Sequence, residues 1–212
     1  MELTQAIQQY ASTPLPHHLM TWLLRDYDQP NDKIHNLLKD ETLLQVKRGL
    51  YVAGPKVTSI KPTAFVLANH IAGPSYISLE SALSHHGFIP ERVYETTSVT
   101  TKASRTFSTP LGVYSYTRLP LPYYSYGIES LEIDRQQRAL IATPEKALFD
   151  KIVTTAGVIF RSKASVLSYM EDDLRIDIDM LKTLDLSTME SWISTAPKKE
   201  SLAMLIKTIR QA

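Results

Sequence analysis

Apolar residues recur at helical spacing from the start of the chain. Leu3, Ala6, Ile7 and Tyr10 predict a short helix, which Pro14 and Pro16 interrupt. Leu19, Trp22 and Leu23 predict the apolar stripe of a second helix, fading into the turn-forming run Tyr27-Asp28-Gln29-Pro30. Ile34, Leu37 and Leu38 predict a third, with Asn31 or Asp32 as its N-cap. Two strands follow, Leu43-Leu44-Gln45-Val46 and Leu50-Tyr51-Val52-Ala53. They are joined by Lys47-Arg48-Gly49, where the glycine supplies a positive φ. Three helices and a hairpin in about 50 residues is the order of a winged helix-turn-helix, with the third helix as reader and the hairpin as wing.

Gly54-Pro55 ends the hairpin and Ile60-Lys61-Pro62 opens a new region, so the expected boundary lies near residue 57. Beyond it, Thr63 to His70 reads as a helix stopped by Gly73-Pro74. Ser78 caps a further helix that carries Leu79, Ala82 and Leu83 on one side and closes at Gly87. From Arg92 to Ala142 the period changes to two. Val93, Thr97, Val99 and Thr101 alternate with polar neighbours, as do Val113, Ser115, Thr117 and Leu119, and the turn Thr109-Pro110-Leu111-Gly112 lies between them. Thr143-Pro144-Glu145 marks a sharp helix start: a threonine cap, proline at the first helical position and an acid in the first turn. Ser187 to Glu190 reads as a capping box, and Leu202, Leu205, Ile206 and Ile209 as the stripe of the last helix. The expected fold class is α+β: a winged helix-turn-helix over 1–57, then a mixed α/β domain over 58–212 with an antiparallel sheet, helical after about residue 143.

Composition narrows the options. The 212 residues are 43% hydrophobic and 21% charged, as in an ordinary globular protein. The absence of cysteine excludes disulfides, thiol catalysis and thiolate zinc sites. An acidic start that breaks its apolar run by the fifth residue does not read as a secretory signal, and no stretch has the length of a membrane span, so a cytoplasmic location is expected. Net charge is +1, with six basic and six acidic residues in 1–60, so no basic domain announces nucleic-acid binding by charge alone. No phosphate-binding glycine loop, nucleophile elbow or zincin helix is present, and a non-enzyme without catalytic residues, metal or cofactor is expected.

Three runs together carry a resemblance: Gln45-Val46-Lys47-Arg48-Gly49-Leu50-Tyr51, then Ser75 to Leu83 through Gly87, then Ala142-Thr143-Pro144-Glu145-Lys146-Ala147-Leu148-Phe149-Asp150. In order and spacing they resemble the AbiEi antitoxin family of type IV toxin–antitoxin (abortive infection, phage-defence) systems, over roughly residues 1–155. The resemblance implies an N-terminal winged helix that binds double-stranded DNA at inverted repeats in its own promoter and represses transcription. It also implies a C-terminal domain that counteracts a nucleotidyltransferase-like toxin from the adjacent gene, with or without direct contact. A stand-alone winged-helix regulator and a protein-interaction module without DNA binding are the alternatives.

Candidate DNA contacts are Lys33, Asn36 and Lys39 on the reader helix and Lys47 and Arg48 at the wing tip. An asparagine amide matches the adenine edge, and the cations match phosphate or guanine. The exposed face of that helix would also hold Asp32 and Asp40, which repel the phosphate backbone. Between Glu95 and Glu129 no acid occurs, yet Lys102, Arg105, Arg118 and five tyrosines do. Strand alternation projects Tyr114, Tyr116 and Arg118 from one face, so Lys102, Arg105, Tyr114, Tyr116 and Arg118 form the candidate partner-binding surface. The same alternation would equally place the tyrosines under helices. The pairs His17-His18 and His85-His86 and the run Glu171-Asp172-Asp173 lack metal-ligand spacing.

Overall fold

A computed structural model describes residues 3–90 and 94–211. Its N-terminal part follows the predicted order, with one addition. Helix α1 spans Leu3–Gln9, and the prolines that end it set a two-residue strand, β1, at Leu15–Pro16. Helices α2 (His17–Leu23) and α3 (Pro30–Lys39) follow, then strands β2 (Leu43–Lys47) and β3 (Leu50–Ala53), with Gly49 at φ +78° in the turn. The three strands form an antiparallel sheet in the order β1-β3-β2. Sequence patterning misses β1 because two residues carry no period.

Two expectations shift here by a few residues. Of the predicted α2 stripe, Leu19 and Leu23 pack half-buried against the N-terminal core beside buried Met20, while Trp22 is 55% exposed with the Arg25 guanidinium 4.7 Å from its ring. Packing keeps two of the three predicted positions and turns only Trp22 outward. Helix α3 starts at Pro30, the N1 position that proline favours, with Gln29 as N-cap in place of Asn31 or Asp32.

Two apolar cores result. Ile7, Leu15, Met20, Leu24, Ile34, Leu37, Leu43, Tyr51 and Ala53 form the N-terminal core. Val46, Leu50 and Val52, on the alternate positions of the same hairpin, belong to the larger core of the rest of the chain. Every residue of β3 is therefore buried, and the hairpin is a shared wall between the two cores.

In the larger part, α4 (Ala64–Ile71) and β4 (Ser75–Ile77) precede α5 (Leu79–His85); Ser78 holds its N-cap position, but the hydroxyl donates to Asp150 in place of the expected cap bond, and Gly87, at φ +75°, follows. Strands β5 (Glu95–Thr100), β6 (Arg105–Thr109), β7 (Gly112–Arg118), β8 (Ile128–Glu132) and β9 (Arg138–Ala142) complete a six-stranded sheet in the order β6-β7-β5-β4-β9-β8. The Thr109–Gly112 turn joins β6 to β7 as predicted, and Val93 lies outside the described residues.

The expected antiparallel sheet is corrected: β5 pairs with β7, and β4 with β9, in parallel. From β5 the chain skips a position through residues 101–104, lays down β6, and hairpins back so that β7 fills the gap. A period of two reports that residues alternate, not which strand lies alongside.

Helix α4 covers one sheet face, since the Tyr116 hydroxyl donates to the Ala68 carbonyl at 2.6 Å. Helix α5 covers the other, where Thr97 exchanges hydrogen bonds with Ser81 and donates to the Ser78 carbonyl. Helix α6 (Pro144–Thr154) has the predicted threonine cap, Thr143, which accepts from the Lys146 N–H. Helices α7 (Lys163–Ser168), α8 (Ile178–Leu181), α9 (Leu186–Trp192) and α10 (Lys199–Arg210) pack into the same core as the sheet. The cap of α9 is Asp185, whose carboxylate accepts from the Ser187 and Thr188 N–H groups, so the expected Ser187–Glu190 box does not form; Glu190 instead pairs with Arg210 at 2.9 Å. Among the described residues the protein has ten α-helices and two sheets, one antiparallel and one mixed, and no helix is long and apolar enough to cross a membrane.

Candidate nucleic-acid interface

Ile34 and Leu37 anchor α3 against the N-terminal core. With those two inward, a 3.6-residue turn leaves Asn31, Asp32, His35, Asn36 and Lys39 exposed together. Asn36 and Lys39 thus lie on the open face predicted for them. Lys33 sits at its flank, half-buried, with its ammonium 5.3 Å from the Tyr27 ring. Of the two aspartates expected to oppose DNA, Asp40 is already engaged. Its carboxylate accepts from the Thr42 N–H at 3.1 Å and from Lys56 at 3.0 Å, and the hydrogen bonds from these two residues hold its pKa down at about 2. Asp32 remains on the face.

The two wing-tip cations diverge. Arg48 is exposed and lines a cavity of about 550 Å³ with His17, Asn31, Gly49 and Tyr51. The His17 N–H donates to the Gly49 carbonyl at 2.9 Å, which ties the start of α2 to the hairpin turn. The starts of α2 and α3 and the hairpin turn therefore meet around one concavity, with a guanidinium, an asparagine amide and an imidazole on its walls. Such a set can hold a phosphate at the cation and offer amide hydrogen bonds to a base edge. In sequence His17 stands only in a pair without metal-ligand spacing and Asn31 only as a candidate N-cap; the pairing of β1 with β3 is what brings His17 beside the turn that carries Arg48.

Lys47 turns the other way. Its ammonium donates to the Ile71 carbonyl at 2.5 Å, at the end of α4. Burial, and after it the charge of Lys102, pushes its pKa below the ordinary lysine value. The placement of Lys47 beside Arg48 on one DNA-facing tip is corrected: the β2–β3 ladder shifts register between Gln45 and Lys47, which breaks the alternation, so Lys47 reaches the larger part of the protein together with its neighbour Val46.

The expected partner surface divides as well. Tyr114 and Tyr116 are 1% and 2% exposed, so they are core residues and not a binding face. Their hydroxyls donate to the Leu111 and Ala68 carbonyls, and burial pushes both phenols up. Helix α4 covers the face on which they stand. Lys102 and Arg105 are exposed and meet Lys47 around a second cavity, of about 350 Å³. Arg118 is exposed at the end of β7, where its N–H donates to the Ser104 hydroxyl, outside that cavity. Among the described residues no group of three or more histidine, aspartate or glutamate side chains is placed to hold a metal ion.

These features define a mixed α+β protein with a small helical part and a larger sheet-and-helix part that share one hairpin. The RV2827C protein from Mycobacterium tuberculosis, known from a crystal structure, is similar over 98% of this chain and 75% of its own, with a TM-score of 0.62 and 14% identity. At that identity the likeness is one of fold. No protein-family model matches the chain, and no curated protein matches it.

Proposed function

We propose that this protein is a cytoplasmic transcriptional autorepressor and antitoxin of the AbiEi kind, not an enzyme, whose N-terminal part is a winged helix-turn-helix for double-stranded DNA. The observation that carries the reading is the convergence of Arg48 at the hairpin turn with Asn31 at the start of α3 around one concavity, beside an α3 face that exposes Asn36 and Lys39. A reader helix and a wing that share one open side form the arrangement a winged helix uses on a duplex. Pairing of Asp40 with Lys56 supports it by removing one of the two carboxylate charges that would repel phosphate.

The larger part then counteracts a nucleotidyltransferase-like toxin encoded beside it. Co-expression tests this half: growth restored by the full chain against the neighbouring gene's product is expected, and a neighbour that is harmless or lacks a nucleotidyltransferase signature refutes it. Gel shift with the DNA upstream of the gene tests the other half. Arg48→Ala is expected to weaken binding uniformly across sequences. Undiminished binding refutes the interface, and no binding at low salt by the wild type leaves the interaction-module reading in its place.

A further inference from the structure

The cavity where the two parts of the protein meet has the chemistry of an anion site, and nothing in the DNA-binding reading uses it. Its basic side chains come from separate stretches of chain: Lys47 from β2, Lys102 from the crossover segment 101–104, and Arg105 from the start of β6. No acidic residue lines it, and among the described residues none of the three makes an ion pair. Lys47 donates to the Ile71 carbonyl and Lys102 to the Gly73 carbonyl at 2.6 Å. Each ammonium keeps two further N–H groups. The Arg105 guanidinium, with five donors, makes no side-chain hydrogen bond to the described residues.

The negative end of α4, at Ile71, accounts for Lys47, and the Gly73 carbonyl two residues beyond the helix holds Lys102. That leaves a third cation and an open space between all three unexplained. Like charges held together raise the energy of the empty site, and an anion relieves it.

We propose that this cavity binds a phosphate-bearing ligand of nucleotide size or smaller. Donors from three separate segments suit a tetrahedral anion better than a planar carboxylate, and a guanidinium paired with ammoniums is a common phosphate cradle. A volume of about 350 Å³ is at the small end of ligand pockets. Phe107, half-buried on the wall with the Lys47 ammonium 5.9 Å from its ring, offers an aromatic face to whatever the phosphate carries. Because Lys47 sits on the hairpin whose turn carries Arg48, a bound anion would brace the wall shared by the two cores. The proposal does not depend on DNA binding.

Calorimetric titration of the full chain at low ionic strength with inorganic pyrophosphate and with adenosine monophosphate tests it. Arg105→Gln and Lys102→Met, both at exposed positions, serve as variants, each checked for an unchanged Tm without ligand. Saturable binding that weakens about tenfold in either variant, as loss of one charge-assisted contact requires, is the expected result. Absence of binding by both probes at millimolar concentration overturns the proposal, as does equal affinity in wild type and both variants. Gel shift with the upstream DNA separates the sources of the phosphate. An Arg105→Gln protein that loses the small anion but retains DNA supports a free ligand, and one that loses both supports a backbone phosphate at the same cradle.

Discussion

Lys146 and Asp150 stand one helical turn apart on α6 and form an ion pair 2.7 Å long with neither side chain exposed to solvent. The Asp150 carboxylate also accepts from the Tyr76 and Ser78 hydroxyls, each at 2.8 Å. The ammonium donates to the Tyr123 carbonyl at 3.1 Å and lies 3.3 Å from the centre of the Tyr123 ring. Burial pushes the Lys146 pKa down, and the neighbouring carboxylate opposes that shift. The pair ties α6 to β4 and to the segment before β8, and it accounts for two residues of the Ala142–Asp150 run.

Removing one member leaves the other charge buried and unpaired. Lys146→Met is expected to destabilise the fold by about 3–5 kcal/mol, and the double variant Lys146→Met/Asp150→Leu by clearly less. Urea unfolding checks both, and a double variant as unstable as the single one would contradict the role assigned to the pair.

Tyr116 separates a core tyrosine from a binding tyrosine. Tyr116→Phe removes the hydrogen bond to the Ala68 carbonyl and is expected to cost about 1 kcal/mol, whereas Tyr116→Ala opens a cavity and is expected to cost about 3–5 kcal/mol. Thermal unfolding without any partner present reads both.

Asp185 gives a pH signature. Hydrogen bonds from Ser187 and Thr188 lower its pKa from 3.8 to about 2. Its contribution to stability is therefore complete above pH 3.8 and is lost as pH falls towards 2. Asp185→Asn is expected to lie below wild type in Tm at neutral pH, with the gap closing between pH 4 and pH 2. A gap that persists unchanged at the acid end would assign the effect to something other than the carboxylate.

On the proposed DNA face, Arg48 and Lys39 are expected to differ from Asn36 in kind. Arg48→Ala and Lys39→Ala should each reduce the dependence of log K on log salt by about 1, as loss of one phosphate contact does. Asn36→Ala should leave that slope unchanged and cost about 1–3 kcal/mol of preference for the cognate sequence. Binding measured at several salt concentrations, on upstream and scrambled duplexes, distinguishes them.

Features set by neighbours in sequence were legible from the residues alone. Thr143-Pro144-Glu145 starts α6, Gly49 takes a positive φ in the hairpin turn, and Leu202, Leu205, Ile206 and Ile209 are the buried stripe of α10. Each rests on a cap, a turn or a helical period, which act over a few residues. The candidate site was legible in part: Asn36, Lys39 and Arg48 are exposed where expected, while Lys47 is not beside Arg48.

The residues alone set the order of most elements and which positions along each share a face. Long-range packing settles what covers each face. Alternation put Tyr114 and Tyr116 together without saying that α4 lies over them, and nothing in it announces the register shift that carries Lys47 away from Arg48 to the larger core. Local rules fix a side chain's direction relative to its own backbone, whereas its burial depends on segments distant in sequence that pack against it.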